Sequence, residues 1–331
     1  LKLILEEFKP YLVEQVIDWV YTKHTTSIEL MTNISKMDRS KIRDIFSFNT
    51  LNIDEIQRGK DKTEKYLFKL SDGNFIESVV MNYENRISAC LSTQVGCKFG
   101  CRFCASGKGG FIRNLTVGEI VEQLYHITCR SKRKVKNIVF MGIGEPFDNY
   151  DNLIDAIDIL THFKTFNIGK RKITVSTIGI PEKILKLAAT RLNVKLAVSL
   201  HAPTDALRRK IMSAASKYSI SDILDACLKY RERTKKRVTI EYILLKDVND
   251  NDANAYKLAK LIKHSGFYVN LIPYNEIPNC SLKTSERSSG FKKILRDYGI
   301  TVEIRNSKGD DIEGACGQLR IGKIKQDGSK K

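Results

Sequence analysis

From Ser88 onward the chain alternates short β-rich runs with amphipathic helical stretches, and no other feature limits the possible folds as much. ISACLSTQ is followed by a helix that opens on Thr116-x-x-Glu119, the spacing of a reciprocal capping box, and that carries Val117, Ile120, Val121 and Leu124 on one face. NIVFMG precedes NLIDAIDIL, KITVSTIG precedes PEKILKLAA with Pro181 suited to a helical first turn, and VKLAVSLH precedes SDILDACLKY. RVTIEYILL precedes NDANAYKLAKLIK, YVNLIPYN leads to GFKKILRDYG, and TVEIR follows as a late extra strand. Strands joined through helices predict a parallel sheet, so the expected fold class is α/β. Six strand-helix units predict an incomplete (β/α)6 barrel over residues 87–308. In such barrels the residues that do chemistry sit on loops at the carboxyl ends of strands.

Residues 1–55 read as a small helical accessory module, because Val13, Val16, Ile17 and Val20 recur at i, i+3, i+4 and i+7, with Trp19 and Tyr21 flanking them. Residues 56–86 read as a β-hairpin connector, with YLFKL and FIESVVM on either side of Asp72-Gly73. Glu77 interrupts the second apolar run and is expected on its solvent face. Residues 309–331 read as a loop around Cys316 and a lysine-rich tail, GKIKQDGSKK, expected to be disordered. No apolar run approaches the length of a membrane span, and LKLILEEF lacks the basic and hydrophobic regions of a signal peptide. A cytoplasmic protein with reduced thiols is expected.

Four of the eight cysteines fall within CLSTQVGCKFGCRFC, from Cys90 to Cys104, and Cys97, Cys101 and Cys104 have the spacing C-x3-C-x2-C. The interleaved Lys98, Gly100 and Arg102 do not make a core face, which argues against packing alone. Zinc sites also use closely spaced thiolates, but they pair C-x2-C halves and need a fourth ligand. A disulfide framework does not suit a chain of 331 residues without a secretory signal. A 4Fe-4S cluster is normally held by four cysteines, so three leave one iron open to a ligand that is not protein. An open iron implies chemistry at the cluster rather than electron storage.

The net charge of +18, from 56 Lys and Arg against 38 Asp and Glu, predicts a polyanionic partner such as nucleic acid. The excess is not uniform. Residues 1–60 carry nine basic and nine acidic side chains, whereas Lys98 to Lys136 hold nine Lys or Arg against Glu119 and Glu122. The positive field therefore surrounds the cysteine loop; a merely solvated basic face is the alternative.

Further unusual residues fall where strands are expected to end: Gly142-Ile143-Gly144-Glu145-Pro146, Ser176 and Thr177, Ser199-Leu200-His201, and Tyr274-Asn275. Each has a plainer reading. GIGEP could be a turn, His201 a satisfied structural histidine and Asn275 a turn cap; functionally, glycine lets backbone approach a ligand and Glu145 accepts from an ammonium. Cys227 shares a helical face with Ile223, Leu224 and Leu228 and reads as core, while Cys129 and Cys280 have no neighbours arguing for chemistry. Cys316 lies among Gly314, Ala315 and Gly317, small residues that let a loop move, and is a candidate nucleophile.

Together CLSTQVGCKFGCRFC, GFIRNLTVGEI, MGIGEPFDN, STIGI, SLHAP, VTIEYILL, LIPYN and GDDIEGACGQL resemble, in order and over nearly the whole chain, the radical S-adenosylmethionine (SAM) methyltransferases of adenosine in ribosomal RNA, the RlmN/Cfr family. The resemblance implies a radical SAM barrel, SAM and one 4Fe-4S cluster as cofactors, and Cys97, Cys101 and Cys104 as cluster ligands. It implies that Gly144, Glu145, Ser176, Ser199, Leu200, His201 and Asn275 contact SAM. By the same carry-over Cys316 is the methylated cysteine, Cys90 the second catalytic cysteine and Glu77 a proton acceptor. One SAM would methylate Cys316, and a radical from a second would activate that methyl group for addition to the base; a disulfide between the two cysteines would form on release. The implied partners are 23S ribosomal RNA, with adenosine 37 of transfer RNA as a candidate second target, and an electron donor such as flavodoxin or ferredoxin. A monomer that does not engage a membrane is expected. The motifs look nearer the branch that methylates carbon 2 of adenine; the alternatives are the carbon-8 branch, which confers antibiotic resistance, and a non-catalytic zinc or iron-sulfur RNA-binding protein.

Overall fold

The computed structural model describes residues 8–46, 50–131, 134–190, 192–212, 217–277, 280–306, 308–309, 311–312 and 317–328. Among the described residues two helices come first, α1 (Pro10–Ile17) and α2 (Lys36–Ile45), with a π-helical turn over Asp18–Thr22 between them. Ser35 caps α2 by accepting from the Asp38 N–H at 3.1 Å. Leu12, Ile28, Met31, Ile34 and Ile42 give this module a core of its own. The Tyr125 hydroxyl, donating to the Thr25 carbonyl at 2.6 Å, ties it to the rest of the chain.

Next come β1 (Leu51–Arg58), β2 (Glu64–Leu70), β3 (Phe75–Tyr83) and β4 (Arg86–Cys90), each antiparallel to the one before. The turn at Asp72-Gly73 falls where the sequence puts it. Strand β1, however, begins inside the stretch read as helical module. Its register shifts between Ile53 and Glu55, and that irregularity breaks the period-two pattern by which a strand is recognised.

After β4 come β5 (Gln94–Gly96), α3 (Ala105–Lys108), β6 (Phe111–Asn114), α4 (Val117–Arg130), β7 (Val135–Phe140), α5 (Tyr150–Thr161), β8 (Ile173–Thr177), α6 (Pro181–Ala189), β9 (Lys195–Ser199), α7 (Asp205–Ile211) and α8 (Ile220–Thr234). The chain continues through β10 (Val238–Leu244), α9 (Asp252–Ile262), β11 (Tyr268–Pro273), α10 (Ser288–Asp297), β12 (Thr301–Ile304) and α11 (Gln318–Gly328). Strands β4 and β7–β12 pair in parallel, in the order in which they occur, within one ten-stranded sheet of which β1–β4 form the antiparallel flank. The α/β fold and the alternation expected from sequence are present, and the sheet is open between β1 and β12. The capping box at Thr116 and Glu119 forms as written, and Cys227 is fully buried in the core.

Two further expectations fail. The tail is not wholly irregular, because α11 extends through Gly328; Leu319 packs on Leu67 and Phe75, and Lys323 pairs with Asp54 at 2.9 Å. Glu77 is not on a solvent face. It is 2% exposed, because α11 covers β3 on that side. Among the described residues no helix is long and apolar enough to cross a membrane.

Candidate active site

The carboxyl ends of the parallel strands surround one cavity of about 340 Å3. Cys97, Cys101 and Cys104 line it from the loop after β5, Gly144 and Glu145 from the loop after β7, and Ser176 from β8. Ser199 and His201 line it at the end of β9, Asn275 beyond β11, and Glu77 and Cys90 from the antiparallel flank. Leu200 stands fully buried behind this rim, its N–H donating to the Glu241 carbonyl at 3.2 Å. Cys316 lies outside the described residues.

The cysteine loop is held at several points. Strands β5 and β6 pair as a small ribbon at its base, the Cys97 N–H donates to the Gly110 carbonyl at 3.1 Å, and the Arg102 N–H donates to the Ile211 carbonyl, at the end of α7, at 3.0 Å. Phe103 sets its ring edge-on to His201, with 4.8 Å between centroids. Burial pushes the Cys97 thiol up to about 12, and burial followed by the neighbouring Cys104 and Cys97 raises Cys101. Sulfurs that hinder one another's ionisation are suited to a positively charged metal group, which stabilises thiolates. Among the described residues no three Cys, His, Asp or Glu side chains gather round a single ion. The shared cavity wall fits a cluster, whose irons each take a different thiolate.

Gly144 adopts φ +107°, and a Cβ there would lie 2.6 Å from the Gln94 side chain, so the turn requires glycine. The close approach is to the protein's own chain: the next N–H, that of Glu145, donates to Gln94 Oε1 at 2.8 Å. The Glu145 carboxylate accepts from the Phe147 N–H at 3.0 Å and the Ile178 N–H at 2.8 Å. Burial pushes this group up to about 7 despite those bonds. An ammonium entering the cavity would meet a carboxylate already fixed in direction.

His201 is both structural and part of the cavity. Its Nδ1 accepts from the Ile243 N–H at 3.0 Å, and burial, with Arg208 nearby, lowers it to about 3, so the ring is neutral. Burial raises the Cys90 thiol to about 11, partly offset by Arg305. Glu77 forms an ion pair with Lys65 at 2.9 Å and accepts from the backbone of residues beyond Cys316.

Sequence reasoning missed Glu241, Arg208 and Arg305. Glu241 is buried in the cavity wall, one carboxylate oxygen accepting from Asn270 Nδ2 at 2.7 Å, and burial raises its pKa. The available signal was a single acid in VTIEYIL, a strand buried along its whole length. Arg208 is buried against the cysteine loop, and Arg305 lines the cavity. The basic surface is also less free than its composition implies. Lys98 pairs with Asp148 at 2.5 Å, and Arg113 spans Asp72 and Glu119 at 2.6 and 2.8 Å; Lys132 and Arg133 lie outside the described residues.

Comparisons with known proteins agree with this geometry. Residues 91–259 match the family model of the radical SAM superfamily, and residues 5–47 match that of the ribosomal RNA large subunit methyltransferase N-terminal domain. A probable dual-specificity RNA methyltransferase RlmN from Pseudothermotoga lettingae is 50% identical over 94% of this chain and 91% of its own length. One with the same description from Malacoplasma penetrans is 44% identical over 98% and 93%. The crystal structure of a radical SAM methyltransferase from Sphaerobacter thermophilus superposes with a TM-score of 0.91 at 40% identity, covering 96% of this chain and 95% of that one. The chain belongs to the radical SAM superfamily and, within it, to the RlmN family of RNA methyltransferases.

Proposed function

We propose that this protein methylates carbon 2 of an adenosine in the peptidyl transferase centre of 23S ribosomal RNA, and adenosine 37 of transfer RNA, through a methylated cysteine. The observation that carries the reading is that Cys90 shares one cavity with Cys97, Cys101 and Cys104 and with the rim residues Glu145, Ser176, Ser199, His201 and Asn275. The description of the relatives as dual-specificity RNA methyltransferases supports two RNA substrates.

In this reading Cys97, Cys101 and Cys104 hold a 4Fe-4S cluster, which when bound supplies the electron that cleaves SAM. Gly144, Glu145, Ser176, Ser199, His201 and Asn275 bind and orient SAM, with Leu200 behind them. Carbon 2 of adenine is not nucleophilic, so ordinary methyl transfer does not reach it; a carbon radical carried on the sulfur of Cys316 does. Cys90 then serves twice. It takes the ring proton as a thiolate and passes it to the methylene carbon. As a thiolate again it bonds to the Cys316 sulfur while the carbon–sulfur bond breaks, so the methylated base leaves and a disulfide forms; the one surplus electron of the radical adduct goes to the oxidised electron carrier. Burial raises the Cys90 thiol to about 11, so it has to lose its proton before it can serve in either role. A small reduced carrier, flavodoxin or ferredoxin, supplies electrons to a cytoplasmic monomer.

The test separates the two thiols. Cys316→Ala is expected to bind cluster and SAM yet give neither product nor trapped RNA, whereas Cys90→Ala is expected to stall with Cys316 covalently attached to RNA. Mass spectrometry of digested protein and RNA reads both outcomes. Normal turnover by Cys90→Ala, or an adduct on another cysteine, would overturn the assignment. Nucleoside analysis of the wild-type product is expected to give 2-methyladenosine, and 8-methyladenosine would move the protein to the carbon-8 branch.

A further inference from the structure

We propose that Glu77, paired with Lys65, is a positioning residue that fixes the chain immediately after Cys316 against the cysteine loop, and that it is not the proton acceptor. The inference rests on the reading above only for the role of Cys316.

The Glu77 carboxylate sits on β3 and is committed on both oxygens. Oε2 accepts from Lys65 Nζ at 2.9 Å and from the Gly317 N–H at 2.8 Å, and Oε1 accepts from the Arg320 N–H at 2.6 Å. A carboxylate offers about four acceptor sites, so at most one still points elsewhere. The two backbone donors belong to the start of α11, where N–H groups lack partners within the helix and negative charge is favoured. Arg320 reinforces the joint, its Nε donating to the Phe75 carbonyl on the same strand at 2.9 Å.

Gly317 is pinned from the other side as well. It has φ +84°, and a Cβ there would lie 2.7 Å from the Ser106 nitrogen and 2.9 Å from its Cα. Ser106 is in α3, two positions after Cys104. The residue that follows Cys316 is therefore clamped between the strand that carries Glu77 and the helix that leaves the cysteine loop. Gly317 is the next residue in the chain after Cys316. With Lys65 and two backbone N–H groups on its oxygens, the carboxylate is held towards β2 and α11, an arrangement that suits anchoring.

The experiment uses full-length protein prepared with Cys316 unmethylated and then loaded with cluster. Iron content and reductive SAM cleavage by dithionite are expected to match wild type in every variant, as controls for folding. In Glu77→Gln, methyl loading of Cys316 from SAM without RNA is expected to fall about 100-fold, the order that a misplacement of about 1 Å costs an oriented reaction. Alkylation of Cys316 by iodoacetamide is expected to quicken several-fold. The double variant Lys65→Met, Glu77→Gln also removes the ammonium and keeps one amide oxygen, which can accept from one of the two backbone N–H groups, and is expected to recover part of the loading. Normal loading in Glu77→Gln together with accumulation of a protein–RNA adduct would make Glu77 the proton acceptor and overturn the proposal. If wild-type protein takes no methyl group on Cys316, the proposed reaction fails, and the alkylation rates alone decide the anchor. An unchanged rate in Glu77→Gln overturns it.

Discussion

The cavity has a parallel wall and an antiparallel wall, and they satisfy their buried polar groups over very different distances along the chain. On the parallel wall the partners lie 2 to 42 positions away. Strand β9 stops at Ser199 while its neighbour β10 runs on to Leu244, so the Ile243 N–H takes His201 Nδ1 in place of a strand partner. Glu145 likewise accepts from Phe147 in its own turn and from Ile178 just beyond β8. On the antiparallel wall Glu77 pairs with Lys65 on the neighbouring β2 and draws two backbone donors from 240 and 243 positions away. Staggered ends of parallel strands leave backbone donors for rim side chains. The Glu77 carboxylate is instead matched partly from the next strand and partly from the start of α11.

The largest expected effect lies where the walls meet. Anaerobic reconstitution of wild type is expected to load about four irons per chain, and Cys97→Ala, Cys101→Ala or Cys104→Ala to abolish loading. Stoichiometric zinc with no iron would break the shared-cavity reading altogether.

Next is the contrast between the walls themselves. Glu77→Leu leaves Lys65 buried with its carboxylate partner removed and is expected to cost about 3–5 kcal/mol, whereas His201→Phe strands one backbone N–H and is expected to cost about 1–3 kcal/mol. Urea midpoints at constant slope would measure both. Equal losses would mean that breaking a buried ion pair costs no more here than stranding one backbone N–H.

The parallel wall also carries two opposed pH dependences. His201 is depressed from 6.5 to about 3, so the stability gained by keeping it neutral is complete above 6.5 and is lost as pH falls towards 3. Glu145 is raised from 4.5 to about 7, so its contribution is complete below 4.5 and is lost as pH rises through 7. The two partly cancel between those limits. In protein without cluster or SAM, His201→Phe is expected to leave stability falling from pH 4.5 to 7, and Glu145→Gln to leave it rising from pH 3 to 6.5. Thermal midpoints across that range would check the signs.

The smallest effect serves as a local control. Thr116→Ala removes the reciprocal cap of α4 and is expected to cost about 1 kcal/mol without changing cluster loading. A loss of iron with it would mean that the helix and the cysteine loop are coupled more tightly than their contacts show.

The sequence by itself determined the strand and helix order, the cap at Thr116 and Glu119, the cysteine spacing and the set of strand-end residues. All of these are local patterns, set by side-chain period or by a few adjacent positions. It could not place Glu77, which reads as a solvent-facing acid until α11 is laid over β3 and Lys65 beneath it. Nor could it find α11, whose first turn is held by that same carboxylate, or the β1 strand, whose irregular register hides its alternation. Glu241 became part of the cavity only when β10 was set beside β11 and Asn270. A buried charge is tolerable only with its partners present, and those partners come from distant parts of the chain; tertiary structure alone decided where the charges of this site are.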